Sequence, residues 1–459
     1  MENNRLKAAA ITGRDILNQL LATLERVEFN EVLEIEQGDQ AKQKHVIVLI
    51  IDIVLKAAQA KQWGLCKQFD FVYCYNGKHW QLIDKEELKA FLGQAAEKMG
   101  YSVYESRFYE FREKLYKQFL SAAFLPVPPV DPNRVLINLE NGTFTIAKGK
   151  HKLEKHNPKD FLRYVLPFAY DEQAQAPNFT KYLERVLPDE SSRMVLAEYV
   201  GYIFTRNLKL EKMLLLYGSG ANGKSVFFEV INALLGKENI SNYSLASLNE
   251  EHNRAQIANK LLNYGSEIKS GIEADQLKAL ASGEPIQARL KYGNSFMMEA
   301  YAKLAFNCNE LPKEVEHNEA YFRRFLIIPF DQTIPEQERD PYLPNRIIES
   351  ELAGVFNWVL DGLKRLMKNG RFTECPKVRA ILERYRLESD SAWLFMDESG
   401  YQPSIDFKPL KELYADYRVF CVEGGFKSVS IRKFAERIRK RGFGTEKKTI
   451  GQVVFCSKL

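Results

Sequence analysis

One eight-residue run constrains this chain more than any other feature: Gly218-Ser219-Gly220-Ala221-Asn222-Gly223-Lys224-Ser225. It matches G-x-x-x-x-G-K-[ST] in full. Met213 to Tyr217 before it reads as an apolar strand and Ser225 to Leu235 after it as a helix, so the run sits where a strand turns into a helix N-terminus. Glycines there let backbone N–H groups close around phosphate oxygens, and the helix N-terminus favours negative charge. All eight residues are expected to hold nucleotide phosphates, with Lys224 reaching the terminal ones and Ser225 placed for Mg²⁺. The expected fold class is α/β.

A phosphate loop specifies a nucleotide and leaves the reaction open. Hydrolysis also needs a carboxylate that orients water and organises the metal, a polar sensor of the terminal phosphate and a cation for the transition state. Short apolar strands alternate with helical segments between Lys212 and Phe330, the pattern of a mostly parallel sheet covered by helices. Leu261 to Tyr264 runs into Gly265-Ser266-Glu267, which puts Glu267 at a strand end, the edge where such sheets bind ligands. Glu267 is the expected catalytic carboxylate and second Mg²⁺ ligand. Lys303 to Phe306 forms another strand leading to Asn309, the candidate sensor, and Arg323-Arg324 precedes a strand from Phe325 to Pro329. Arg289-Leu290-Lys291-Tyr292 and Ser295 to Met298 flank Gly293-Asn294, a hairpin signal that sets Lys291 near a tip where it could meet a phosphate backbone.

The rest of the chain divides by pattern. Residues 1–65 read as helical, with Ile16, Leu17, Leu20, Leu21 and Leu24 on one face. Residues 66–175 are mixed α+β: Phe71 to Tyr75 and His79 to Leu82 flank Asn76-Gly77, and Val135 to Leu139 and Thr143 to Ile146 flank Asn141-Gly142. Helices return over 176–208, the nucleotide segment spans 209–345, and 346–400 is helical, with a boundary suggested by the polar run at 388–391 and the Ser/Gly/Pro-rich stretch at 398–404. Residues 401–459 hold thirteen Lys and Arg against six Asp and Glu, in a chain whose net charge is only +5. That concentration implies a polyanionic partner. Leu410, Leu413, Tyr414 and Tyr417 share a helical face, and Ser430 caps a second helix, Ile431 to Arg441, rich in cations. Thr449 to Cys456 reads as a strand or wing.

Several function classes are excluded. The longest apolar run, Val46 to Leu55, is broken by Asp52 and falls short of the ~20 residues a bilayer span needs. It reads as a buried helix, and with no secretory signal in MENNRLKAAA the expected location is cytoplasmic, without membrane contact. Six cysteines without Cys-x-x-Cys or Cys/His spacing read as reduced structural thiols.

From about Tyr73 onward the chain resembles the superfamily 3 helicases, specifically the C-terminal helicase part of phage and plasmid primases and of poxvirus primase-helicases. The resemblance rests on order and spacing: YCYNGKHW, INLENGTF, the segment His156 to Asp171, EYVGYIFT, the phosphate loop, ASGEPIQARLK, FNCNELP and YFRRFLIIPF. It implies an AAA+-like ATPase core that uses ATP and Mg²⁺, homo-oligomeric (hexameric) rings, and movement 3′ to 5′ on single-stranded DNA, with forked DNA as the substrate. By position it makes Lys224 and Ser225 the ATP and Mg²⁺ ligands, Glu267 the acidic motif and Asn309 the sensor. Arg324, or Arg323, becomes the arginine finger, and Arg289 with Lys291 the DNA-contacting hairpin. The tail resembles the family's winged-helix end, with Arg432, Lys433 and Arg437 as DNA contacts. Asn263 and Tyr264 stand in a strand that relatives make more apolar, and Glu284 stands where Asp is usual. The residues before the resemblance are too few for a primase domain, so priming is expected from a separate chain. The competing readings are a sequence-specific DNA-binding ATP switch that assembles without unwinding, and a metabolic phosphotransferase.

Overall fold

The computed structural model describes residues 12–36, 39–68, 71–124, 131, 134–147, 149–206, 208–266, 268, 273–291, 293–312 and 319–458. They fall into two compact units, Met1–Tyr170 and Asp171–Leu459.

In the first unit, Thr12 and Asp15 form a reciprocal capping box that starts the helix Gly13–Thr23, whose Ile16, Leu17 and Leu20 are buried. The apolar run lies in the helix Gln43–Ala60, with Val46, Ile50, Ile51 and Val54 buried and Asp52 exposed. The charge that interrupts the run therefore marks the solvent face. Two antiparallel sheets follow: β1 (Leu65–Gln68), β2 (Phe71–Tyr75) and β3 (Trp80–Ile83), then β4 (Arg134–Leu139), β5 (Gly142–Ala147) and β6 (Lys150–Glu154). Both expected hairpins form, but neither turns on its Asn-Gly pair alone. Tyr75 pairs with Trp80, leaving a four-residue loop, and Leu139 pairs with Gly142, so the second turn is Glu140-Asn141. Gly142 instead opens β5, where an added Cβ would lie 2.4 Å from the Glu154 carbonyl oxygen.

The second unit is built on a five-stranded parallel sheet: β7 (Met213–Tyr217), β8 (Ile240–Ser241), β9 (Leu262–Gly265) and, after a hairpin of β10 (Ile286–Arg289) and β11 (Ser295–Met298), β12 (Lys303–Cys308) and β13 (Phe325–Pro329). The order is β13-β7-β12-β9-β8. Helices cover it, and the buried runs of β7 and β13 are the continuous apolar stretches such coverage demands. Asn263 fits this interior because it is fully paired: its Oδ1 accepts from Ser241 Oγ at 3.0 Å and the Tyr243 N–H at 2.9 Å, and its Nδ2 donates to the Tyr243 carbonyl at 2.9 Å. The helices Glu190–Tyr202 and Leu352–Asn369 meet at backbone distance, since a Cβ on Gly362 would come within 2.4 Å of the Ala197 carbonyl carbon. Beside them Glu198, fully buried, accepts from Arg365 Nε at 2.6 Å and the Thr373 N–H at 2.7 Å.

The C-terminal part holds β14 (Tyr401–Pro409), helices Leu410–Glu423 and Ile431–Arg439, β15 (Thr445–Lys448) and β16 (Gly451–Lys458), in the order β14-β16-β15. Ser430 caps the second helix as expected, through the Lys433 N–H. Three sequence expectations need correction here. The helix ends at Arg439, the hairpin begins at Thr445 rather than Thr449, and the stretch taken as a boundary near 398–404 enters a strand. Ala392, Phe395 and Met396 pack with Leu413, Tyr417 and Phe434, so this core begins before residue 401, with the helix Ser391–Glu398. No described helix is long and apolar enough to cross a membrane.

Candidate functional site

Because the strands of the central sheet run parallel, their carboxyl ends share one edge, and the Gly218–Ser225 segment leaves β7 there. Gly220 and Gly223 take positive φ angles of 108° and 87°, and Ala221 joins them at 49°. The segment is held from three sides. The Gly218 N–H donates to the Cys308 carbonyl at 3.1 Å, the Ile334 N–H donates to the Ala221 carbonyl at 2.8 Å, and Asn222 Nδ2 donates to the Phe330 carbonyl at 2.9 Å. From below, the Tyr182 hydroxyl donates to the Gly223 carbonyl at 2.7 Å. A Cβ on Gly223 would stand 2.7 Å from Val186 and 3.0 Å from the Tyr182 ring, so only glycine lets the loop sit this close. Glu351 in turn caps the helix that carries Tyr182, accepting from the Asn178 N–H at 3.1 Å and the Phe179 N–H at 3.0 Å.

The helix Lys224–Leu235 starts with no side chain capping it, which leaves its first N–H groups to a ligand. Lys224 is only 7% exposed. Its Nζ donates to the Gly218 carbonyl at 2.5 Å, to Asn222 Oδ1 at 3.1 Å and to Asn309 Oδ1 at 3.3 Å. All three acceptors are neutral, and burial lowers the lysine pKa. A buried ammonium with only neutral acceptors among the described residues suits an arriving phosphate. Ser225 is exposed beside it. Asn309, immediately after β12, is thus brought to the loop. Glu267, two residues beyond the end of β9, lies outside the described residues.

The arginine doublet divides. Arg323 is half-exposed and pairs with Glu211 at 3.0 Å, whereas Arg324 is 7% exposed and turned into its own chain, donating to Ser282 Oγ at 3.0 Å and to the Ala320 carbonyl. The first-choice finger is therefore buried and the alternative is accessible. At the expected hairpin, Arg289 pairs with Ser295, so the loop is residues 290–294 rather than a two-residue Gly-Asn turn. Arg289 and Lys291 are exposed, and Arg289 Nε donates to the Gly293 carbonyl at 3.0 Å, bracing the loop. On the basic helix Arg432 and Lys433 are exposed. Arg437 is not free for a ligand: its guanidinium sits 3.2 Å from the buried Asp390 carboxylate. All six cysteines are buried and unpaired.

Residues 52–188 match a family described as D5 N terminal like, and residues 216–324 match one described as of unknown function, DUF5906. The chain is 23% identical over 362 residues to a protein of Invertebrate iridescent virus 3 named as a helicase, 121R, an alignment covering 68% of this chain and 38% of that one. It is 24% identical over 304 residues to a protein of African swine fever virus named as a primase, C962R, covering 59% and 31%. Among solved structures, the C-terminal region of NrS-1 shares the fold at 13% identity and a TM-score of 0.51, covering 88% of this chain and 98% of that one. The chain is thus similar to viral proteins named as helicases and primases. It spans about a third of the length of these curated relatives.

The two matched stretches contain most of the candidate site. The second holds the loop, Asn309, the hairpin and both arginines, while the first reaches Tyr182 and Val186. Tyr182 carries no sequence signal for its role. It lies 41 residues before the carbonyl it binds, inside an ordinary amphipathic helix.

Proposed function

We propose that the chain is an ATP-dependent replicative DNA helicase that works as a hexameric ring and moves 3′ to 5′ on single-stranded DNA. The observation that carries this reading is the meeting of Lys224 with Asn309 across β7 and β12, around an ammonium that has no anionic partner among the described residues. The strand order supports an AAA+-like phosphate-loop core, since β12 lies directly against β7 and sets Asn309, the residue that follows the strand, beside the loop.

In that reading Lys224 exchanges its neutral oxygens for the terminal phosphates, while the loop amides and the uncapped helix hold the rest. Asn309, released from Lys224, reports the γ-phosphate. Ser225 and Glu267 would hold Mg²⁺, which would supply charge neutralisation at the phosphates, and Glu267 would orient the attacking water. Arg323, the accessible member of the doublet, reaches the neighbouring subunit. Arg289 and Lys291 line the pore, and the C-terminal part, a winged-helix-like module, presents Arg432 and Lys433 to DNA while Arg437 anchors their helix.

ATP turnover with and without DNA tests the assignment. Lys224→Ala should abolish turnover, and Glu267→Gln should bind ATP without hydrolysing it. Wild-type turnover by Lys224→Ala, or turnover indifferent to DNA, contradicts the reading. DNA-stimulated turnover without any unwinding points instead to the ATP-switch alternative.

A further inference from the structure

The N-terminal unit carries a cationic surface that this mechanism leaves unused. β6 is an edge strand, and Lys150, His151, Lys152 and Leu153 on it are exposed. Lys150 lies opposite Ala147, Lys152 opposite Thr145, and Arg134 opposite Ala147 on the other side. Side chains alternate along a strand, so Arg134, Lys150 and Lys152 share one sheet face. The turn Pro158–Asp160 is tied to that face by Arg134, whose Nη1 is 3.2 Å from Asp160 Oδ1, which brings Lys159 alongside. Lys155 follows β6 directly.

Acids do not cancel this charge. Glu154 is taken by Lys152 at 2.8 Å and approached by Arg134 at 3.7 Å, and Asp160 is taken by Arg134. Lys150, Lys155 and Lys159, all exposed, make no ion pair with any described residue. Lysines on an edge strand also guard against strand addition. That role accounts for Lys150 but not for Lys155 and Lys159, which lie beyond the strand.

The same surface lacks what single-strand readers use. Phe161 and Tyr164 are buried, and the exposed His151, opposite Ile146 and stacked on Phe144 at 5.7 Å, lies on the other sheet face from Lys150 and Lys152. Among the described residues of this patch, that face therefore offers no aromatic for base stacking. What remains is phosphate recognition, and duplex DNA presents phosphates most densely, one charge per about 1.7 Å of axis. We propose that this face binds the phosphate backbone of duplex DNA. The inference rests on the reading of the chain as a DNA-acting enzyme.

The test uses the full chain with all three lysines replaced (Lys150→Ala, Lys155→Ala, Lys159→Ala), a Lys-to-Arg version of the same triple, and fluorescence anisotropy on a duplex and a single strand of equal length across a salt series. The alanine triple should bind duplex several-fold more weakly and flatten its log Kd against log salt slope by roughly 2 to 3. Single-strand binding should change less, and the Arg version should keep wild-type behaviour. An unchanged duplex slope overturns the inference, as does an equal loss on both DNAs. Self-association of the alanine triple with unchanged affinity assigns the lysines to edge protection and overturns it too. A wild-type chain that binds no DNA defeats the underlying reading as well, whereas normal wild-type binding beside an unaffected triple defeats this inference alone.

Discussion

Lys224 occupies an environment that disfavours its own charge, and the residues that make it so are the ones that position it. Asn222 serves both sides, donating to the Phe330 carbonyl and accepting from the lysine. Asn222→Ala should leave a buried carbonyl unpaired at about 1 to 3 kcal/mol, lowering thermal stability and nucleotide affinity together. Tyr182→Phe is the more selective change. It keeps the ring under Gly223 and removes one hydrogen bond of about 1 kcal/mol, so nucleotide Kd should rise several-fold while the melting temperature stays near wild type. Equal Kd values by titration with a fluorescent ATP analogue would remove Tyr182 from the site. Lys224 and Asn309 were legible because a contiguous motif and a strand end mark them. Tyr182 was not, because its partner is a backbone carbonyl far along the chain. Nor was the burial of Arg324, which depends on Ser282 and Glu211 arriving from other elements.

At the scale of elements, the close crossing of Glu190–Tyr202 and Leu352–Asn369 sets what the helical layer tolerates. Gly362→Ala must push backbone against backbone, and overpacking of this kind costs about 1 to 3 kcal/mol. Its melting temperature should fall, and an unchanged one would mean that the helices separate freely. In the N-terminal unit, burial holds the His79 pKa down to about 4 against the opposing pull of Glu140. The folded value lies below the ordinary 6.5, so the unfolded chain takes up the proton first. This unit should therefore lose stability as pH falls from about 6.5 towards 4, and His79→Gln should flatten that dependence in melts across the range. Element patterns were readable where an apolar run has a telling length and clear flanks, as in the short β7 and β13 and the longer run of the helix Gln43–Ala60. β14 was not, because Pro403 and Pro409 signal a loop. The strand is possible at a sheet edge, with an irregular register between Pro403 and Phe407, where a missing N–H costs little.

For the whole molecule, the proposed ring requires a cation that can leave its own subunit. Arg323→Ala should cut turnover sharply, since a finger in trans is worth about 10³ to 10⁵, while Arg324→Ala should chiefly destabilise the fold. Arg323→Ala and Lys224→Ala subunits, each inactive alone, should regain ATPase activity in mixed rings. Activity equal to the sum of the two preparations, with subunit exchange verified, would exclude a finger at Arg323. The central claim is ATP-driven separation of DNA strands, and a strand-displacement assay on forked duplexes with either a 3′ or a 5′ single-stranded tail tests it most directly. The account predicts displacement by the wild-type chain with ATP and Mg²⁺, on the 3′-tailed fork and not the 5′-tailed one, and none by Lys224→Ala. Displacement that survives in Lys224→Ala, or no displacement by a wild-type chain that hydrolyses ATP and binds the fork, would contradict it.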